Sequence, residues 1–253
     1  MKTAILITAR LKSTRLPQQV LKELAGRPML AHLIDRLRLS RRAEQIILIT
    51  SVLAQDYPLV AFAQGEGIDH FRGDPDDVLL RMTDAACHFG LDTVVSCTAD
   101  NPFVDPVYID RLVDFHLERG HAFSNSKGLP WGCFAYVLST PALGKACEIK
   151  AERDTEVWGG YFTQTGLFHW GTLAIEDPAV CWPELRLTVD TPADFELVTR
   201  IFAELGGSGE IFSLEEIVAL CRRRPDLVAI NAGVEQKAGI PIKLNPAMET
   251  RNG

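Results

Sequence analysis

Thr3-Ala4-Ile5-Leu6-Ile7-Thr8-Ala9 runs directly into Arg10-Leu11-Lys12-Ser13-Thr14-Arg15-Leu16-Pro17. The first half of this stretch is a short unbroken apolar run, the pattern of a strand covered on both faces. The second half packs two arginines, a lysine and two hydroxyls into six residues. Such a loop at the carboxyl end of a first parallel strand suits phosphate, held by guanidinium forks, a point charge and backbone N–H groups. A solvated basic turn has the same composition. No GxxxxGK[ST] run occurs, which excludes a P-loop at motif level.

Outward from this stretch, strand-like and helix-like segments alternate. Gly26-Arg27-Pro28 opens a helix whose Met29, Leu30, Leu33, Ile34 and Leu37 form an apolar stripe, with Arg36, Arg38, Arg41 and Arg42 outside it. Ile46–Thr50, residues 68–71 and Thr93–Cys97 read as strands; residues 59–64, 76–89 and 108–119 read as helices. This alternation predicts an α/β fold, a mainly parallel sheet with helices on both faces. The second half is less regular. Strands are expected at 134–138, 166–170 and 185–189, and helices near 140–150, from Thr191-Pro192-Ala193-Asp194 onward, and over 214–222 behind a Ser213/Glu216 capping box. Residues after Asn231 read as a poorly ordered extension.

The chain has 253 residues, 47% hydrophobic and 23% charged, with a net charge of −7. An acidic balance argues against nucleic acid as a partner. No apolar run reaches the roughly 18 residues that a membrane span needs. MKTAILITAR reads as a first strand and not a secretory signal. The six cysteines show no CxxC pair, the pattern of reduced thiols in a cytoplasmic protein. The six histidines are scattered and suggest no shared metal site or triad. Trp131 and Trp158 suit either an acceptor-stacking role or core packing.

Three further stretches carry polar groups at strand ends. Asp100, in Thr98-Ala99-Asp100-Asn101-Pro102, can ligate magnesium or simply form an Asx turn before proline. Asp190, ending LRLTV, can supply a second carboxylate to the same ion or cap the next helix. Arg72-Gly73-Asp74-Pro75-Asp76-Asp77-Val78-Leu79-Leu80-Arg81 reads as a turn leading into a capped helix. Asp74-Pro75-Asp76 is also a formal match to the DxD pair of nucleotide-sugar-dependent glycosyltransferases.

Together, ARLKSTRLP, GRPML, RGDPDDVLLR, TADNPFVDP, LRLTVDTPADFEL and INAGVEQK resemble the CTP-dependent cytidylyltransferases that include CMP-sialic acid and CMP-Kdo synthetases. The likeness is greatest to their spore-coat polysaccharide biosynthesis branch, and its anchors span residues 4–237. The resemblance implies a Rossmann-like three-layer α/β/α sandwich of the nucleotide-diphospho-sugar transferase type, often dimeric. It implies one domain over 1–237, with a nucleotide-binding half at 1–125, an acceptor and dimerisation half at 126–237, and a tail at 238–253. It further implies CTP and a sugar or sugar acid as substrates and Mg2+ as cofactor. Asp100 and Asp190 then hold the metal, and Arg15, Lys12 and Asp100 act at the reacting phosphates. Ala9, Arg10, Ser13, Arg15, Gln19, Asp77, Arg81 and Thr98 line the nucleotide.

Three departures stand out. RLPGK of the family reads RLPQQ here, so Gln18 and Gln19 replace a glycine and a phosphate-binding lysine. Lys12 or Lys22 can compensate from the same loop. Ser96 stands where this branch often has arginine. Pro130-Trp131-Gly132-Cys133-Phe134-Ala135-Tyr136 is aromatic where acidic residues are usual, which predicts an altered acceptor pocket. Gln19 also keeps open a slowed or non-catalytic relative that binds nucleotide or a partner enzyme.

Overall fold

Thr3–Thr8 (β1) is apolar on both faces because both are covered. Ala4 and Leu6 enter one buried cluster, Ile5 and Ile7 the other, and all four are fully buried. The computed structural model describes residues 1–12, 16, 18–206, 211–235 and 241–245. The other strands are β2 (Glu23–Leu24), β3 (Arg27–Pro28), β4 (Gln45–Ser51), β5 (Asp69–Gly73), β6 (Thr93–Thr98), β7 (Phe123–Lys127), β8 (Tyr136–Ser139) and β9 (Trp170–Ala174). The helices are α1 (Met29–Leu37), α2 (Tyr57–Gly65), α3 (Val78–Phe89), α4 (Pro106–Arg119), α5 (Thr140–Ile149), α6 (Gly160–Thr163), α7 (Pro192–Leu205), α8 (Leu214–Arg223) and α9 (Pro225–Ala229).

Seven strands form one sheet in the order β5-β4-β1-β6-β8-β7-β9, and β2 and β3 make a separate ribbon. Within the sheet only β8 runs against its neighbours; β5, β4, β1 and β6 are mutually parallel, as are β7 and β9. Helices α1, α2, α4, α7 and α8 cover the Ile5 and Ile7 face, while α3, α5 and α6 cover the Ala4 and Leu6 face. The result is the expected α/β three-layer sandwich with a mainly parallel sheet. No helix among the described residues is long and apolar enough to cross a membrane.

The reversal of β8 determines what stands at the crevice. Tyr136 is the register partner of Ser96, so the segment entering β8, residues 130–135, lies at the carboxyl end of β6. Ligands of such sheets gather at that end.

Several expectations are corrected. The strand expected at 185–189 does not join the sheet. Its backbone instead pairs with Trp131, which donates to the Leu185 carbonyl at 2.8 Å and accepts from Leu187 at 2.7 Å. The strand expected at 166–170 lies at 170–174, because Gly166 turns at φ 69° and Phe168 packs into the core ahead of the ladder. Phe123–Lys127 is an unexpected strand whose Ser124 is buried against His116 and His121, each Nδ1 3.0 Å from its Oγ. His169 meets His121 edge to face with ring centroids 4.7 Å apart, so three of the histidines are gathered, not scattered. Among the described residues they form no metal site. Arg36 lies inside and not on the solvent side. Its guanidinium donates to the carbonyls of Val104 and Phe212 and pairs with Asp105 at 3.4 Å. Residues 241–245, expected to be loose, are docked: Lys243 accepts from Ala151, Asn245 donates to Ile149, and Ile242 and Leu244 pack on the second cluster.

Candidate active site

The loop after β1 is built outward from a buried carboxylate. Asp56 is fully buried and accepts the Leu11 N–H at 2.7 Å on one oxygen and the Ser51 hydroxyl on the other. Ala9 donates to the Ile49 carbonyl at 3.1 Å, and Ala99 to the Thr8 carbonyl at 3.0 Å. These bonds tie the three central strand ends together and fix where the loop departs. Arg10 then crosses to the turn before α3, donating to the Pro75 carbonyl and lying 3.3 Å from Asp76. Lys12 reaches the same carboxylate at 3.4 Å, from an exposed position. Exposed pairs of this kind contribute about 1 kcal/mol at most, so Lys12 exchanges partners at little cost.

Below that turn lies Arg81, fully buried on α3. It donates to the Asp74 carbonyl at 2.6 Å, while its Nε and Nη2 have no hydrogen-bond partner among the described residues. Burial, with the charge of Arg10, pushes its pKa down to about 10, leaving it cationic at neutral pH. Gly73 makes room for it, since a Cβ there would lie 3.0 Å from the Arg81 Cγ. Two adjacent guanidiniums with spare donors favour an electron-rich ligand above them. Asp77 is differently employed. Its carboxylate caps α3 at Leu80, accepts from Thr155 at 2.9 Å and pairs with Lys150. It binds the two halves of the chain together from behind the crevice. Asp74 accepts from the N–H groups of Asp76 and Asp77, so the Asp-Pro-Asp triplet is turn architecture.

The two acids expected to meet do share one neighbourhood. Val189 donates its N–H to the Asp100 carbonyl at 2.9 Å, which brings Asp190 beside the turn after β6. Burial pushes the Asp100 carboxyl up to about 6, against a hydrogen bond from Thr98, and the negative field of Asp190 adds to the rise. Asp190 accepts Arg186 Nη2 at 2.8 Å. Arg186 also grips Asp194 through Nε and Nη2, at 2.9 and 3.1 Å. Asp194 is fully buried and completes a capping box with Thr191 at the start of α7. Burial alone would raise its pKa; hydrogen bonds from Arg186, Asn231 and the Asp190 N–H bring it below the ordinary value. Arg186 thus orients Asp190 from a site that is itself rigidly held.

Among the described residues no group of three or more His, Cys, Asp or Glu side chains is arranged for a metal. Magnesium needs no such cage: one or two carboxylates suffice where phosphates and water supply the rest. Asp100 and Asp190 suit it, for two carboxylates that repel one another are relieved by a cation between them.

The structure therefore gathers Ala9, Arg10, Lys12, Thr98, Asp100 and Asp190 along the carboxyl ends of β1 and β6, with Arg81 beneath. Ser13 and Arg15 lie outside the described residues. Gln19 is buried in a single 3-10 turn, Gln19–Leu21, accepting from the Lys22 N–H at 3.2 Å. Gln18 before it has φ 52°, the left-handed region where a glycine is unstrained. Lys22 places its ammonium 5.3 Å from the Phe195 ring, in the first turn of α7. Asp56 was missed by sequence reasoning, as were the roles of Arg186 and Asn231. The latter two stood inside quoted motifs; Asp56 carried no local signal.

Residues 4–157 match the family model described as Cytidylyltransferase. An uncharacterized protein of Methanocaldococcus jannaschii is 30% identical over 94% of this chain and 98% of its own length. The spore coat polysaccharide biosynthesis protein SpsF of Bacillus subtilis is 28% identical over 87% of this chain and 94% of its own. The structure of a cytidylyltransferase from Leptospira borgpetersenii superposes with a TM-score of 0.83 at 24% identity, covering 94% of this chain and all of that one.

Proposed function

The chain belongs to the cytidylyltransferase family, and from that premise we propose that it moves CMP from CTP to a sugar or sugar acid, releasing pyrophosphate, in surface polysaccharide or glycolipid synthesis. The observation that supports this most directly is the meeting of Asp100 and Asp190 beside the cationic loop after β1. In the proposed reaction an acceptor hydroxyl oxygen attacks the α-phosphorus. A new P–O bond forms, the bond from the α-phosphorus to the bridging oxygen breaks, and the hydroxyl proton passes to solvent. Attack on an anionic phosphorus calls for charge neutralisation and in-line positioning more than for covalent help.

Arg10 and Lys12 are assigned to the phosphates, giving up Asp76 as they do so. Ser13, Arg15 and Gln19 act with them in the same loop, Arg15 and Lys12 against charge on the leaving pyrophosphate. Ala9, Thr98 and Arg81 border the nucleotide, and Asp77 holds the α3 end of its site. Asp100 and Asp190 hold Mg2+, which supplies charge neutralisation at the phosphates. Arg186 keeps the Asp190 carboxylate turned toward the crevice. The reading further takes residues 1–237 as one domain and the enzyme as a cytoplasmic homodimer, on the strength of the family resemblance.

Pyrophosphate release from CTP with Mg2+ and a panel of sugars and sugar acids tests the proposal. Asp100→Asn and Asp190→Asn should each lower kcat at least about 100-fold. Turnover that survives either change unaltered would refute it. A slowed relative that binds nucleotide is a second reading, supported by Gln19; tight CTP binding without release of pyrophosphate would favour it.

A further inference from the structure

We propose that Lys150 and Thr155 are positioning residues for the nucleotide, and that the segment 241–245 fastens them in place. This rests on the nucleotidyltransferase reading of the site. The first-turn N–H groups of a helix need acceptors from outside its own ladder. At α3 the Leu80 N–H is met by Asp77, the N-cap, at 3.0 Å. The Leu79 N–H is met from the other half of the chain, by the Thr155 hydroxyl at 2.9 Å, across seventy-six positions. That hydroxyl donates in turn to the Asp77 carboxylate at 2.9 Å, and the Thr155 N–H donates to the Asp76 carbonyl at 3.3 Å. Thr155 and Asp77 are both buried.

Lys150 closes the network. Its ammonium pairs with the Asp77 carboxylate and donates to the Glu152 carbonyl at 3.1 Å. Its backbone is set by the segment 241–245, since Lys150 and Leu244 form an antiparallel bridge. On either side of that bridge the Asn245 N–H donates to the Ile149 carbonyl at 2.8 Å, and the Ala151 N–H to the Lys243 carbonyl at 2.9 Å. Lys243 is held again by Tyr161, whose hydroxyl donates to the same carbonyl at 3.2 Å, and by Glu152, 2.6 Å from its ammonium.

These ties converge on the turn before α3. Asp74 accepts from the N–H groups of Asp76 and Asp77, and its carbonyl takes the Arg81 guanidinium. Arg10 rests on the Pro75 carbonyl and the Asp76 carboxylate, where Lys12 also reaches. A shift of Asp77 therefore moves the seat of Arg10 and Lys12 and the turn above Arg81. A buried ion pair such as Lys150 with Asp77 supplies little net stability, because desolvation offsets its attraction. What it supplies here is a fixed place for Asp77, so that the cationic loop meets the nucleotide already ordered. Such coupling is reciprocal: if the segment 241–245 strengthens the hold on CTP, CTP tightens that segment by the same factor.

The test uses the full-length protein with CTP and Mg2+. Titration calorimetry measures affinity, and hydrogen exchange read by NMR follows the Ala151 and Asn245 amides. In the unaltered protein nucleotide is expected to slow exchange at both amides at least about fivefold. Lys150→Met and Thr155→Val should each weaken CTP binding at least about tenfold and abolish that slowing. Thr155→Ser, which keeps the hydroxyl, should bind CTP within about threefold of the unaltered protein. Asp77→Asn combined with Lys150→Met leaves no unpaired charge; it carries the same expected weakening and serves if Lys150→Met fails to fold. Val113→Ala, on the buried face of α4, controls for lost stability and should leave CTP affinity alone. Unchanged affinity in the folded Lys150 and Thr155 variants overturns the proposal and leaves CMP transfer standing. Equal weakening by Thr155→Ser or by Val113→Ala overturns it as well, as does exchange indifferent to nucleotide. Failure of the unaltered protein to bind CTP overturns the underlying reading and this one with it.

Discussion

Val189 donates its backbone N–H to the carbonyl oxygen of Asp100 across 2.9 Å, joining the turn after β6 to the entrance of α7. Through that bond the Asp100 and Asp190 carboxylates fall within each other's field, although ninety positions part them in the chain.

Asp100→Asn should stabilise the metal-free protein while abolishing turnover. The folded-state pKa of Asp100, about 6, lies above the unfolded value, so ionisation opposes folding at neutral pH. Removing the charge should gain about 1–2 kcal/mol at pH 7.5, allowing for partial exposure of the side chain. The gain should fade as pH falls through 6 toward 4, where the native carboxyl is protonated anyway. Urea unfolding in EDTA at pH 7.5 and pH 5 measures both; destabilisation at each pH would contradict the argument.

Arg186→Met should cost about 3–5 kcal/mol, because Asp194 has no exposure and would keep its charge without its main partner. Arg186→Lys should recover only part of this, an ammonium being unable to serve Asp190 and both oxygens of Asp194 in one plane. Urea midpoints of the two variants provide the comparison.

Gln18 and Gln19 invite opposite changes. Gln18→Gly should stabilise by roughly 1 kcal/mol, relieving the left-handed backbone at φ 52°. Gln19→Lys should raise kcat for pyrophosphate release at least about tenfold, within the ~2–4 kcal/mol that one transition-state donor is worth. An unchanged kcat would place the compensating charge elsewhere, and Lys22→Met would then show whether it lies at Lys22.

His116 should make the protein acid-sensitive. Its ring is buried, and burial with the nearby His121 lowers its pKa to about 4, against 6.5 in the unfolded chain. Between those values the unfolded state binds the extra proton, so stability falls as pH falls from about 6.5 to 4. The loss should reach about 2–3 kcal/mol by pH 4.5. In His116→Phe, chemical unfolding at pH 7 and pH 4.5 should show a correspondingly smaller difference.

Much of the fold was legible because apolar runs such as Ile46–Thr50 and Thr93–Cys97 record two covered faces, which only a buried strand requires. Phe123–Lys127 was not, since a strand whose inward position is a serine satisfied by two histidines shows no apolar alternation. Arg36 fell outside the helical stripe yet lies inside, its charge met by Asp105 and by carbonyls that no local pattern encodes. Leu185–Val189 has strand composition, but its hydrogen bonds go to Trp131 and Asp100. At the site, Asp100 and Asp190 could be read from their places at the ends of strand-like runs. Asp56 could not: its work is done across a distance of forty-five positions, at the Leu11 amide.

Asn231 hydrogen-bonds both the Arg186 carbonyl, at 3.1 Å, and the Asp194 carboxylate, at 2.8 Å. The support beneath Asp190 is therefore finished by a residue thirty-seven positions beyond Asp194. A chain that has formed its parallel strands but stops short of position 231 lacks this keystone. Truncation before position 231 should yield a protein that is soundly pleated at its centre and inert at its rim.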